Sequence, residues 1–230
     1  MKNRIIIFIF LFSVFFAHGQ IQNNLDKIYY LLGTLDDYAG RCLCIINPND
    51  WDKIMYLHQR DSAIIKRIEE ISMLKFTKGK KRENCRNCHE FYYLLSSSAA
   101  KEINSFYVFK KQWGCEDANR NAGISYRGEL KCGKILKASN EQQYSFMAGL
   151  FLTQGKKIDD VYKICLSSSP WRYKCTIKLL QALKSKILST LITKGTVPTG
   201  FIIEFKPSEE LKQILDNEIE RREFFANEKL

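Results

Sequence analysis

Apolar residues recur at three- and four-residue spacing along most of the chain, and that spacing predicts helices. Leu25, Ile28, Tyr29, Leu32, Leu35, Ala39 and Cys42 form one such face. Asn47-Pro48 supplies a cap and a first-turn proline for a new start, followed by Trp51, Ile54, Met55 and Leu57. Asp61 can cap a stretch whose face is Ile64, Ile65, Ile68 and Ile71. Cys88, Phe91, Leu95, Ala99, Ile103, Phe106 and Trp113 predict a long helix that stops at Gly114. Further on, Ser139 and Gln142 make a capping box ahead of Phe146, Met147, Leu150 and Phe151. Asp159 can cap a short helix through Val161, Tyr162 and Cys165. Ser169-Pro170 opens a long helix carrying Ile177, Leu180, Leu183, Ile187, Leu188 and Leu191. Phe201 to Phe205 reads as a strand, and Ser208 caps a last helix with Glu209 and Glu210 at its positive end.

These elements predict an all-α protein, a disulfide-bonded helical bundle of two pseudo-repeated modules. Residues 20–114 form helical module 1 and residues 139–230 helical module 2. Between them, residues 115–138 are a Gly-rich loop pinned by Cys115 and Cys132, with a short hairpin through Ile124 to Leu130. The doubling rests on Trp51 and Trp171, which each follow a proline. In the same register Leu57 falls on Ile177, Ile68 on Leu188 and Leu95 on Leu215.

Residues 1–19 stand apart. Lys2 and Arg4, the apolar run from Ile5 and the small residues Ala17 and Gly19 have the layout of a cleavable secretory leader. The run is too short for the roughly 20 residues that span a bilayer. The expected localisation is secreted and extracellular. In such a compartment the eight cysteines, Cys42, Cys44, Cys85, Cys88, Cys115, Cys132, Cys165 and Cys175, read as disulfides whose connectivity stays open.

Chemistry has little material. Cys85, Cys88 and His89 match the c-type haem attachment pattern, which keeps an exported cytochrome as an alternative. Cys42, Cys44, Cys85, Cys88 and His89 hold a second alternative, zinc. Outside the leader only His58 and His89 remain for base catalysis, and no G-x-S-x-G accompanies Ser96–Ser98 or Ser167–Ser169. The pairs Asp36-Asp37 and Glu69-Glu70 read as solvated helix faces. The expectation is therefore no enzyme, no cofactor and no small-molecule substrate.

The whole chain of 230 residues has a formal charge of +11, and cleavage after Gly19 would leave +9. Lys75, Lys78, Lys80, Lys81 and Arg82 form the main basic cluster, read first as a solvated loop and second as a patch for an acidic polymer, a membrane surface or nucleic acid. Secretion, cysteines and charge together predict a disulfide-rich effector or binding protein that acts on a host protein without catalysis. A bacterial periplasmic inhibitor or binding protein is the other alternative.

The leader, the pair Cys42-Leu43-Cys44, the segments Tyr162-Lys-Ile-Cys165 and Tyr173-Lys-Cys175 and the doubled layout resemble the bicycle family, secreted salivary effector proteins of gall-associated aphids. That resemblance implies delivery in saliva, a host-plant target and no enzyme activity. The chain departs from the family pattern at Leu43, which stands in place of a tyrosine, and it has no second C-x-C.

Overall fold

A computed structural model describes residues 25–38, 40–44, 51–79, 90–115, 123–193 and 199–228. It overturns the all-α expectation. The described residues form seven helices and ten strands, the strands in three antiparallel sheets. In chain order these are α1 (Lys27–Thr34), β1 (Arg41–Cys44), β2 (Lys53–His58), α2 (Ser62–Ser72), β3 (Phe76–Lys78), β4 (Phe91–Leu95) and α3 (Ser97–Asn104). Then come β5 (Tyr107–Cys115), β6 (Gly123–Leu130), α4 (Cys132–Leu136), α5 (Asn140–Gln154), β7 (Gly155–Ile158) and β8 (Val161–Ser167). The chain closes with α6 (Pro170–Ala182), β9 (Lys186–Thr193), β10 (Gly200–Lys206) and α7 (Glu209–Asn227).

The sheet orders are β1-β6-β5, β2-β4-β3 and β7-β8-β10-β9. One path occurs twice: strand, helix, then two strands of which the second lies in the middle. It runs through β2, α2, β3 and β4, and again through β8, α6, β9 and β10.

The helices α1 and α5 occupy the centre. Ile28 to Thr34 of α1 are all buried, as are Gln143 and Ser145 to Leu152 of α5. A helix apolar on every side belongs inside a fold, and each fully buried large side chain contributes roughly 1.5–3 kcal/mol. The two helices meet backbone to backbone at paired glycines. A Cβ on Gly33 would collide with the carbonyl oxygen of Phe146, and one on Gly149 with that of Tyr30. The capping box of α5 forms as the sequence predicts, with Ser139 Oγ accepting from Gln142 N and Ser139 N donating to Gln142 Oε1.

Around this pair the apolar alternation of the strands faces inward. Tyr162, Ile164 and Leu166 of β8 and Phe201, Ile203 and Phe205 of β10 are buried, while their neighbours turn outward. That period of two is the signature of a half-buried strand, and it replaces the short helix expected at Val161 to Cys165. The long helix expected from Cys88 to Trp113 is, in its described part, β4, α3 and β5. The helix expected to reach Leu191 ends at Ala182, because Lys184 takes a left-handed φ of 56° and the chain turns back as β9. Strand β10 and the start of α6 at Pro170 fall where the sequence places them.

The expected boundaries change character accordingly. Residues 20–114 and 139–230 each mix strands with helices. The expected loop 115–138 supplies β6, which pairs with β5 from Tyr107↔Leu130 to Cys115↔Gly123, and then α4. The register that sets Trp51 on Trp171 places Leu57 of β2 on Ile177 of α6, a strand on a helix.

Candidate functional site

Two buried arginines brace the central helix α1. Arg172, in the first turn of α6, donates to the carbonyl oxygens of Gly33 at 2.9 Å and Leu32 at 3.0 Å, and to Asp37 Oδ2 at 2.8 Å. It satisfies the last carbonyls of α1, so the helix stops at Thr34 and Leu35 turns extended. Tyr107 Oη also donates to Asp37 Oδ2. Burial alone would lower the Arg172 pKa, but the charge of Asp37 beside it raises it above the ordinary value. Burial pushes the Tyr107 phenol well up, and Asp37 adds to that push.

The second arginine, Arg67 of α2, pairs with Glu218 of α7 and donates to Glu70 Oε2 at 2.6 Å. Tyr30 Oη donates to Glu218 Oε2 at 2.7 Å. Burial raises the Tyr30 phenol well above its ordinary value, and Glu218 adds to it. The Arg67 pKa ends up raised, since its hydrogen bond and charge pairing with Glu218 outweigh the cost of burial. Asp37 and Glu218 thus serve packing, as compensated charges in the interior.

Beyond the end of α1 lies a cleft of about 700 Å³. Its walls are two edge strands, β1 and β2, whose ladder partners lie on their far sides. Arg41 of β1 bridges them by donating to the carbonyl oxygens of Ile54 and Lys53, each at 3.0 Å, and to Asn104 Oδ1 at 2.6 Å. Asp36, Tyr38 and Gln154 line the inner end, and Lys53, Tyr56, His58 and Arg60 the β2 side. Gln154 Nε2 donates to Asp36 Oδ1 at 3.5 Å. Asp36 is exposed as a residue, yet the protein around its carboxyl pushes its pKa up, opposed by Arg172 and helped by Asp37. The Asp36-Asp37 pair therefore does not sit on a solvated helix face. The two residues follow α1 on irregular backbone, with Asp37 at a φ of 44°.

Charge is divided between the element types. The ten described strands hold eleven Lys and Arg against two Asp and Glu, a net of +9, whereas the seven helices hold eleven against ten, a net of +1. On the outer face of β7-β8-β10-β9 the register lines up Lys156, Lys163, Glu204 and Ser189 in one row. On β1-β6-β5 it lines up Cys42, Arg127 and Lys110. The outer face of β2-β4-β3 pairs Tyr56 with Tyr93 and His58 with Phe91.

The sequence-predicted site residues are scattered. Lys75 pairs with Glu69 at 3.0 Å and Lys78 with Glu90 at 2.7 Å, while Lys80, Lys81 and Arg82 lie outside the described residues. So do Cys85, Cys88 and His89, the whole haem pattern. Among the described residues no group of three or more His, Cys, Asp or Glu could hold a metal ion. Of the cysteines, Cys132 and Cys175 form a disulfide with Cα atoms 5.3 Å apart, tying α4 to α6. Cys42 and Cys165 carry free thiols, which corrects the expectation that all eight are bridged. They sit on the outer faces of β1 and β8, opposite Arg127 and Ile202 rather than a second cysteine. Ser96 caps α3, and Ser169 Oγ donates to the carbonyl oxygen of Asp37 at 2.7 Å, so both serine runs have structural work. Tyr162 and Tyr173 of the cysteine-flanking segments are buried. The sequence reading missed Arg172, Arg67 and the aromatic face of β2 and β4. Two arginines inside otherwise apolar helical faces were the available signal for the first two.

No family model matches the chain, and neither does any curated protein. Among solved structures it is similar to mesophilic variants of the homing endonuclease I-DmoI, at 10% identity, with 83% of this chain and 95% of that chain covered and a TM-score of 0.49. It is also similar to I-DmoI in complex with DNA and Ca, at 11% identity, 81% and 85% coverage and a TM-score of 0.46. The expectation of an effector acting on a host protein without catalysis has no counterpart in these structures, which are of an endonuclease, one of them on DNA. It is set aside, and with it the expectation that the chain is no enzyme. At such TM-scores the likeness gives this chain no activity in their place.

Proposed function

We propose that the protein binds nucleic acid through the outer faces of its sheets. The carrying observation is the segregation of charge, a net of +9 on the ten described strands against +1 on the seven helices. One face of each sheet packs toward the core and takes Arg41 and Lys157 with it, while most of the other strand cations, among them Lys53, Lys110, Arg127 and Lys156, stand on the opposite face, where a phosphate backbone can meet several at once. Pairing across β7, β8 and β10 holds Lys156 and Lys163 at neighbouring strand positions. Glu204 neutralises part of that row at 2.7 Å from Lys163, which leaves Lys156 and the strand-end lysines Lys186 and Lys206 as exposed cations. Basic charge alone also suits other polyanions. Nucleic acid is favoured because the third sheet offers aromatic rings, which a polyanion without bases cannot use.

The experiment is fluorescence anisotropy of the whole protein with a labelled duplex, titrated across salt. The proposal expects an affinity that falls by at least about tenfold between roughly 50 and 200 mM salt as counterions are released. Absence of binding at the low-salt end both to that duplex and to the same duplex carrying unpaired nucleotides, or an affinity indifferent to salt, overturns it. Export behind a leader at residues 1–19 is a separate proposal that rests on Lys2, Arg4 and the apolar run. Intact-mass measurement of protein recovered from the medium tests it, and a chain that retains Met1 through Gly19 ends it.

A further inference from the structure

We infer that the outer face of β2-β4-β3 stacks unpaired nucleobases, so the preferred ligand is a nucleic acid with single-stranded nucleotides where it meets this sheet. The inference rests on the nucleic-acid reading above and names the form of the polymer. Antiparallel pairing sets Tyr56 beside Tyr93 and His58 beside Phe91. The rings form one continuous cluster. Tyr56 lies 5.7 Å from Phe91 and 6.4 Å from Tyr93, and His58 lies 4.5 Å from Phe91, all between ring centroids. None of Tyr56, Tyr93 and Phe91 belongs to the hydrophobic core, which takes Met55, Leu57, Leu94 and Phe76 from the other face of the same strands. Tyr56 is 53% exposed.

A cation is built into the cluster. Lys53 Nζ lies 5.0 Å from the Tyr56 ring centroid and 5.2 Å from that of Tyr93. An ammonium held against two ring faces is positioned to meet the phosphate of a nucleotide whose base lies on Tyr56. The same lysine and tyrosine line the cleft between β1 and β2, where exposed Arg60 offers a further cation along a strand's path. In a duplex the faces of a base are covered by its neighbours, so ring stacking selects bases that have left the helix. The outer face of β8 and β10 shows the contrast. Lys163 and Glu204 pair there beside Ile202 and Cys165, with no ring among them.

The test uses the whole protein and two labelled probes, a fully paired duplex and the same duplex with about five thymidines left unpaired in one strand. The gapped probe should bind about tenfold more tightly. Tyr56→Ala combined with Tyr93→Ala should abolish that advantage, so that the ratio of the two affinities falls to about 1, while Tyr56→Phe should keep it. Equal affinity of the wild-type protein for both probes overturns the stacking inference and leaves the nucleic-acid reading standing. A double variant that weakens both probes alike also overturns it. Failure of both probes to bind the wild-type protein takes down the nucleic-acid reading itself. A purely structural role of the rings would lower the melting temperature of the double variant without altering the ratio of the two affinities.

Discussion

The sheets β2-β4-β3 and β8-β10-β9 share a strand–helix–two-strand path, and each connecting helix carries one buried arginine. Each arginine is neutralised by a carboxylate from the other half of the chain. Arg67 of α2 meets Glu218 of α7, and Arg172 of α6 meets Asp37 just after α1. Arg172 thereby ties the end of α1, and Glu218 ties its middle through Tyr30. The settings differ in two respects. Arg67 has a second carboxylate, Glu70, which lies toward solvent, whereas the other partners of Arg172 are backbone carbonyls. On the outside, one sheet shows a ring cluster and the other a charged row. Similar paths can therefore share an interior logic while their outer faces diverge, because only the inner face is constrained by packing.

The largest expected effect concerns the arginines. Asp37→Ala leaves Arg172 buried without a counter-charge and should cost about 3–5 kcal/mol in urea denaturation. Glu218→Ala should cost less, because Glu70 still accepts from Arg67. Equal losses would break the distinction between the two settings. Next come the glycines at the helix crossing. Gly33→Ala and Gly149→Ala each force a Cβ against a facing carbonyl oxygen and should each cost about 1–3 kcal/mol or more, read as a lowered melting temperature.

A smaller effect separates the two faces of one sheet. Lys156→Ala, on the outer row and without a carboxylate partner among the described residues, should reduce the slope of log affinity against log salt by about 1. Lys157→Ala should leave that slope unchanged, since its amine is 2.9 Å from Asp216 of α7 on the inner side. The smallest effect is a pH dependence. Burial tends to raise the Asp216 pKa, but bonds from Lys212, Tyr162 and Lys157 more than offset it, and the net direction is down. Its contribution to stability is full above the ordinary carboxylate range and is lost as pH falls through its own lower pKa. Asp36 has the opposite sign. Its pKa is raised, so its ionisation removes stability as pH rises through the carboxylate range. Asp216→Asn should flatten the acid limb of a stability–pH curve, and Asp36→Asn should remove the fall on the other side.

Legibility in the sequence followed element length. The starts of α5 and α6 were readable because a capping box and a first-turn proline act locally. Strand β10 was readable from its alternation, between Gly200 at its start and Pro207 just past its end. Strands β2, β4 and β8 were read as helix because five to seven residues rich in Ile, Leu and Tyr satisfy both periods, and only their pairing partners decide between them. The ring cluster was hidden for the same reason, since Tyr56 and Tyr93 become neighbours only through the ladder. Arg172 could not be assigned from its own segment, because its partners are more than a hundred residues earlier in the chain.

The bond between Cys132 and Cys175 has a consequence for how the chain survives cutting. It encloses α5, β7 and β8 in one covalent ring. A protease that cleaves once at the tight turn Asp159-Asp160, or anywhere else inside that ring, yields two peptides that still migrate as one molecule until a reductant is added. The central helix α5, which carries the glycine crossing, would then stay tethered to α6 even though the backbone between them is broken.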